Sequence, residues 1–180
     1  MDASPRFTRT AMFLHWLLML ALLAQFGLGW YLDEVPRGSP DRTIFVNLHK
    51  STGILIGLVI LVRLFWRLTH RAPALPMTMP AWERIAAKWS HVLLYVCMVV
   101  MPLSGYVASN FSKYGVNFFN SYKLPPWGND SPAVYAFFNT THVITSGIFI
   151  ALIALHVLAA LRHAIHKDGI FSRMWPGGSR

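Results

Sequence analysis

The stretch that decides the fold is Thr141-His-Val-Ile-Thr-Ser-Gly-Ile-Phe-Ile-Ala-Leu-Ile-Ala-Leu-His-Val-Leu-Ala-Ala-Leu-Arg-His163. It is long enough to cross the roughly 30 Å hydrocarbon core of a bilayer, which takes about 20 apolar residues. Two histidines, His142 and His156, nevertheless lie within this apolar run. A polar ring that is buried without a bonding partner costs free energy. The segment therefore predicts a membrane helix whose histidines bind something.

The composition extends this interpretation to the whole chain of 180 residues. It is 54% hydrophobic and 13% charged, with a mean hydropathy of +0.43, whereas a soluble domain carries about 25% charged residues. Because lipid offers no partner to unpaired backbone groups, the apolar blocks must be helices. We predict an all-α, integral membrane four-helix bundle that forms one domain over residues 1–180. The predicted spans are residues 11–32, 48–68, 85–107 and 137–162.

The chain has a net charge of +9, and the positions of its basic residues predict a membrane orientation and no nucleic-acid partner. The basic residues lie at the ends of the apolar blocks and not along one amphipathic face. No small-residue cleavage pattern follows the first block, so we expect that helix to be retained. By the positive-inside rule both termini are expected in the cytoplasm. The side with the termini carries Arg6, Arg9, Arg63, Arg67, Arg71, Arg84, Lys88, Arg162, Lys167, Arg173 and Arg180, against Arg37, Arg42, Lys50, Lys113 and Lys123 on the other.

Two connections differ in character. Residues 73–80 are rich in proline and predict a stiff, extended cytoplasmic loop. Residues 108–136 form the longest connection and carry many aromatic side chains. We expect this outer segment to lie on the membrane surface and to cover something.

The histidines within the spans fall at two depths. His142 and His156 are fourteen residues apart, which is about 21 Å along a helix and nearly four full turns, so both rings lie on one face. With the orientation above, His49 on the second helix shares the outer depth with His142. His15 on the first helix and His91 on the third share the inner depth with His156. Spacing alone does not separate His15 from His91.

Haem b held between two histidines would account for this pattern, because the iron accepts an imidazole nitrogen at each depth. We predict two such haems. They would be bound non-covalently, since the chain has no Cys-x-x-Cys-His motif. A His/Met ligand pair is an alternative. Small residues on three of the helices would leave room for the macrocycle or allow close helix packing; they are Gly27, Gly29, Gly53, Gly57, Ser146 and Gly147.

Other uses of buried histidines fit less well. A proton channel needs a polar relay between the two depths, and residues 148–155 are apolar. Zinc needs about four ligands converging at one level, and the predicted spans contain no carboxylate. A purely structural four-helix protein would be colourless when purified.

Several short stretches, spread over nearly the whole chain, together resemble the sequence of a known family. They are Leu14-His15-Trp16, Asn47-Leu-His49, Val62-Arg-Leu-Phe-Trp-Arg67, His91-Val-Leu-Leu-Tyr95, Pro102-Leu-Ser-Gly105, Leu155-His156 and Arg162-His-Ala-Ile-His-Lys-Asp168. With these stretches the chain resembles the bacterial cytochrome b561 family, four-helix di-haem proteins of the inner (plasma) membrane. That family is related to the cytochrome b subunits of hydrogenases and formate dehydrogenases.

The resemblance implies which histidines bind each haem. In the related subunits the fourth helix shares its two histidines with the first and second helices. By that likeness His15 and His156 are the ligands of the inner haem, and His49 and His142 are the ligands of the outer haem. His91 would lie beside the inner haem or replace one of its ligands.

For stand-alone members, the resemblance implies oxidation of superoxide to dioxygen at the outer surface and reduction of ubiquinone. Lys50 and Lys113 are the cations that we expect to steer superoxide, helped by Arg37, Arg42 and Lys123. A solvated loop with partly cancelled charge is the other interpretation of these residues. Trp16, His163 and His166 are expected to form the quinone site, although the two histidines could instead lie among lipid head groups.

Two further interpretations stay open. Arg63 and Arg67 lie about one turn apart on the second helix and would contact haem propionates or act as interface anchors. The rival function is that of a non-enzymatic electron-transfer subunit. It would link the quinone pool to a redox partner protein, either a dehydrogenase or a periplasmic carrier.

Overall fold

Four long helices dominate the computed structural model, which describes residues 6–177 of the chain. Each helix is long and apolar enough to cross a membrane, so the predicted all-α, multi-pass membrane fold is confirmed. A two-stranded antiparallel hairpin and a short 3₁₀ helix complete the described part. The elements are α1 (Arg9–Glu34), α2 (Pro40–Thr69), α3 (Ala81–Asn110), β1 (Val116–Phe118), β2 (Tyr122–Leu124), α4 (Pro132–His166) and the 3₁₀ helix Phe171–Arg173.

The second helix begins at Pro40 and not near residue 48 as predicted. The Ser39 hydroxyl accepts the backbone N–H of Arg42 at 3.2 Å, and Pro40 occupies the first turn. Both are strong helix-start signals, and Asp41 suits the positive end of the helix dipole. The prediction omitted the first turns of α2 because it followed hydropathy, and those turns are polar. The connection from α1 to α2 is therefore only residues 35–39.

A thin apolar layer at mid-height holds the bundle together. It is formed by Leu18 of α1, Ile60 of α2, Cys97 and Met98 of α3, and Phe149 of α4. Phe149 is only 1% exposed, and its ring meets the edge of Phe26 at 5.7 Å between centroids. The layer lies between the two depths of the histidines.

The helices pack in an incomplete circle. The α3–α4 contact is the most extensive, followed by α1–α2 and α2–α3. Within residues 6–177, the backbones of α1 and α4 stay farther apart than those of the other neighbouring helices. These two helices meet through side chains, among them Phe26 with Phe149 and His15 with His156.

The first and the last of the described residues lie at one end of the bundle, which we call the terminus end. The Phe7 N–H donates to the Arg173 carbonyl at 3.2 Å, and the Trp16 indole N–H donates to the Met174 carbonyl at 2.9 Å. The buried Arg173 side chain also donates to the Ala74 carbonyl at 2.9 Å. The tail thus joins the start of α1 to the loop between α2 and α3.

The opposite end, which we call the hairpin end, is covered by β1 and β2. The predicted loop of residues 108–136 contains this hairpin, which the sequence analysis did not anticipate. Phe119 and Asn120 turn the chain with φ of 46° and 58°. The Phe119 N–H donates to the Ser51 hydroxyl and the Asn47 amide donates to the Asn120 side chain, both at 2.8 Å. These bonds attach the hairpin to α2, beside His49.

Replacing Phe149 by alanine tests the apolar layer. We expect a loss of on the order of 3 kcal/mol in unfolding free energy, because the cavity forfeits packing that lipid tails do not replace. The melting temperature of the purified protein in detergent, followed by circular dichroism, measures the effect. Phe137→Ala is the control, since Phe137 lies on the same helix and is 66% exposed. Equal melting temperatures for the two variants would contradict this role of Phe149.

Candidate functional site

At the hairpin end, His49 of α2 and His142 of α4 face each other. Their ring centroids are 6.3 Å apart and their planes are inclined by 84°. Both side chains are half-buried. The two rings therefore lie opposite one another across the bundle.

At the terminus end, His156 faces two histidines. Its ring centroid is 6.1 Å from that of His15 on α1, with the planes inclined by 74°. It is 5.4 Å from that of His91 on α3. The structure thus brings together the three histidines that spacing placed at this depth.

These separations can be compared with what a shared metal ion requires. Two imidazoles on opposite sides of one ion have ring centroids about 6 Å apart, since each metal–nitrogen bond is about 2 Å and each nitrogen lies about 1 Å from its ring centre. The pairs His49–His142 and His15–His156 meet this distance, whereas His91–His156 is shorter. Across residues 6–177, no group of three or more His, Cys, Asp or Glu side chains is arranged to hold a metal ion. The donor sets therefore suit a group that needs two axial ligands.

Comparison with known proteins identifies the family of this chain. The family model for prokaryotic cytochrome b561 matches residues 6–177. The chain belongs to the prokaryotic cytochrome b561 family. It is 28% identical to cytochrome b561 homolog 1 of Escherichia coli (strain K12) over 176 residues, 95% of this chain and 97% of that protein. It is 30% identical to cytochrome b561 homolog 2 of the same organism over 168 residues, 89% of this chain and 86% of that protein.

Membership makes this chain a membrane electron-transfer protein of a family that binds haem b. The histidine pairs described above are the residues that fit this cofactor by distance and by depth. Which of them bind it, and how many haems are held, belongs to the proposal below.

The surroundings of His142 suit a haem ligand of a cytochrome b561. Its Nδ1 lies 2.8 Å from the Met101 carbonyl oxygen and 3.4 Å from the Ser104 hydroxyl. A ring that donates Nδ1–H to a carbonyl leaves Nε2 bare for a metal. The ring also packs on Gly105, where an added Cβ would lie 2.9 Å from Nδ1. Only glycine leaves the ring in this place.

His49 has a different partner, which the sequence analysis missed. The Gln25 amide nitrogen of α1 lies 3.2 Å from His49 Nδ1 and 2.9 Å from the His49 carbonyl oxygen. The Thr52 hydroxyl donates to the other end of the same amide at 2.6 Å. A lone glutamine within the first apolar block was the signal available in the sequence.

The two arginines of α2 lie in different places. Arg63 enters the bundle, where its Nη2 is 3.2 Å from His15 Nδ1 and its Cζ is 5.8 Å from the centre of the Tyr95 ring. Arg67 is exposed. Arg63 is the better placed of the two to meet a propionate beside His15, but its guanidinium can only donate, so it must leave His15 Nδ1 if His15 is to bind iron through Nε2. The sequence analysis did not identify Tyr95.

His91 is held by its own helix. Its Nδ1 lies 2.6 Å from the Ala87 carbonyl oxygen one turn earlier. By the same tautomer rule its Nε2 is bare, so His91 stays a candidate alternative ligand beside His156.

The predicted steering cations are partly engaged by the protein. Lys50 is half-buried and its Nζ donates to the Gly115 carbonyl at 2.7 Å, which ties α2 to the loop before β1. Arg42 donates to the carbonyls of Leu32 and Val35 and so closes the end of α1. Lys113 is exposed, with Nζ 5.2 Å from the centre of the Tyr114 ring. Lys113 is open to an anion, as are the exposed Lys123 and Arg37.

A polar cleft of about 260 Å³ opens at the terminus end, between the α2–α3 loop and the end of α4. The His163 Nδ1 lies 2.5 Å from a carboxylate oxygen of Asp168, and Arg162 pairs with Glu83 at 3.2 Å. Burial raises the pKa of Asp168, but the hydrogen bonds from His163 and from the backbone, together with the charges of nearby histidines, lower the pKa overall. His166 also lines this cleft.

Trp16, the third residue predicted for a quinone site, lies elsewhere at this end. Its ring contacts the edge of His15 at 5.7 Å and of Trp175 at 5.4 Å between centroids. Its indole N–H is bonded to the Met174 carbonyl. Trp16 is therefore held by the chain's own tail, while His163 faces Asp168 in the cleft.

Replacing Gly105 by alanine tests the placing of His142. The added methyl group would displace the ring, so we expect the haem content per chain, measured as the pyridine haemochrome, to fall below that of the unmodified protein. Leu103→Ala is the control, because Leu103 is on the same helix and is 57% exposed. A full haem content in Gly105→Ala would show that this contact does not position a ligand.

Proposed function

We propose that this protein is a superoxide:ubiquinone oxidoreductase of the bacterial inner membrane, with both termini in the cytoplasm and the hairpin end in the periplasm. It would be one four-helix domain with two haem b groups, ligated by His49 and His142 and by His15 and His156. The observation that carries the proposal is the pair of facing histidines at each of two depths. The haems would supply one-electron carriers on either side of the apolar layer.

The spacing along α4 supports transfer across the membrane. His142, Phe149 and His156 are seven residues apart, so they lie on one face at intervals of about 10 Å. Phe149 is buried between the two levels. α4 would thus hold the two haems at a fixed separation, and the apolar packing between them would exclude water.

The reaction balances as two superoxide anions, one ubiquinone and two protons giving two dioxygen molecules and one ubiquinol. Two histidines would hold each haem, and the haems would supply one-electron redox chemistry. The protein's part at the periplasmic face is to attract the anion. Lys113 is exposed there, whereas Lys50 anchors the loop before β1.

At the cytoplasmic face the protein must supply protons to the reduced quinone. His163 is hydrogen-bonded to Asp168 in a cleft that opens at this end. An imidazole has two ring nitrogens, so it can take up a proton from solution at one and pass a proton on from the other. We assign His163 and Asp168 to this transfer, with His166 lining the same cleft. Trp16, which lies beside His15 and outside this cleft, would contact the quinone only on the side of the inner haem.

Superoxide steering is tested with the purified protein alone in detergent. We expect a superoxide generator to reduce the haems, with a rate that falls as salt screens the lysines. Lys113→Gln should lower the rate about two- to tenfold at low salt and flatten the salt dependence. Lys88→Gln, at the other end, should leave it unchanged. Reduction by ubiquinol but not by superoxide would favour the electron-transfer subunit instead.

Proton delivery is tested by His163→Gln. We expect ubiquinone reduction to slow about 10- to 100-fold, in the range of a lost proton donor, with an unchanged haem spectrum. Lys167→Gln is the matched control, being the exposed neighbour of the cleft. If quinone reduction by His163→Gln equals that of the control, His163 is an interfacial residue and not a donor.

A further inference from the structure

Gln25 is a buried amide in a helix that faces lipid. It lies in the middle of the apolar α1 and is half-buried. A side-chain amide in this setting costs free energy unless its donors and acceptor are bonded. Its contacts converge on a short segment of α2 that includes His49 and Thr52.

These contacts exceed what holding two helices together requires. A polar side chain that joins membrane helices can do so through one backbone carbonyl, and Gln25 has that bond to the His49 carbonyl at 2.9 Å. It also lies 3.2 Å from the ring nitrogen of the same residue. The carbonyl bond alone does not explain an approach to Nδ1.

We infer that Gln25 is a positioning residue that accepts the Nδ1–H of His49 when His49 is a haem ligand, and that this bond tunes the reduction potential of the haem at the hairpin end. The inference rests on the proposed ligation of that haem by His49. The ligand assignment does not say which group is hydrogen-bonded to His49 Nδ1, and the inference names that group.

The tautomer follows from donor and acceptor counting. An amide N–H that donates to Nδ1 requires a bare Nδ1, which puts the ring proton on Nε2. A protonated Nε2 cannot bind iron. Ligation through Nε2 needs Nδ1–H and an acceptor for it, and the amide oxygen of Gln25 supplies one when the two ends of the amide exchange.

Thr52 makes that exchange feasible. Its hydroxyl lies 2.6 Å from the Gln25 oxygen and 2.8 Å from the Leu48 carbonyl oxygen. It can donate to the amide oxygen, or accept from the amide nitrogen while donating to Leu48. Exchange would leave the Gln25 amide and the Thr52 hydroxyl with partners, but it would place the amide oxygen 2.9 Å from the His49 carbonyl oxygen, so the amide must also move away from that carbonyl.

The opposite ligand lacks this freedom. His142 Nδ1 faces the Met101 backbone carbonyl at 2.8 Å, and a carbonyl can only accept. The two rings at the hairpin end thus have one fixed partner and one adjustable partner. Donation from Nδ1–H raises the basicity of the ring and favours the oxidised iron, so removing the acceptor should raise the potential.

The experiment is an optical redox titration of the haem-loaded protein, without superoxide or quinone. Gln25→Met keeps the length and removes the hydrogen bonds. We expect the reduced-to-oxidised ratio of one haem to rise at least tenfold at a given potential, which is 59 mV for one electron, with the other haem unchanged. Thr52→Val should shift the same haem in the same direction, and Thr52→Ser should restore the original value.

Unchanged potentials in Gln25→Met, or equal shifts of both haems, would overturn the inference. If Gln25→Met does not retain the haem, the two Thr52 variants provide the test. Equal reduction potentials in Thr52→Val and Thr52→Ser would then overturn the inference. Absence of haem from the unmodified protein would instead refute the proposed function. Inactivity towards superoxide with a shifted potential would leave the role of Gln25 in place.

Discussion

The cost of burying an imidazole in lipid constrains the rest of this structure. A histidine inside a membrane helix must find a partner, and α4 places His142 and His156 on one face, on either side of the buried Phe149. The other helices are arranged around this face. α2 brings His49 to one level and α1 brings His15 to the other, while the packing of α3 on α4 holds the whole in register.

The two ends of the bundle protect their histidines by different means. At the hairpin end β1 and β2 are tied to α2 through Ser51 and Asn47, and the preceding loop through Lys50. At the terminus end the tail crosses from Trp16 to the α2–α3 loop, beside a cleft with titratable side chains. In the proposed reaction, the covered end with its exposed lysine would receive the anion that donates the electron. The end with the His163–Asp168 pair would serve the acceptor that also takes up protons.

Helix number, membrane placement and the histidine depths followed from the sequence because each depends on local periodicity. Twenty apolar residues or so form a spanning helix whatever packs against them. Ser39 and Pro40 also signal the start of α2, but a prediction from hydropathy overlooks this signal because the first turns of the helix are polar. The hairpin could not be read, because its turn uses Phe119 and Asn120 at positive φ, and bonds to α2 hold that conformation.

By itself, then, the sequence determined a four-helix membrane protein with imidazoles at two levels and a family resemblance. Only the tertiary structure decided which side chains meet them. It turned Arg63 towards His15 and left Arg67 exposed, although both are arginines on neighbouring turns. It also set Gln25 against His49 and Gly105 against His142. Such contacts join residues far apart in the chain, and they depend on how the helices are rotated and spaced, which no single segment encodes.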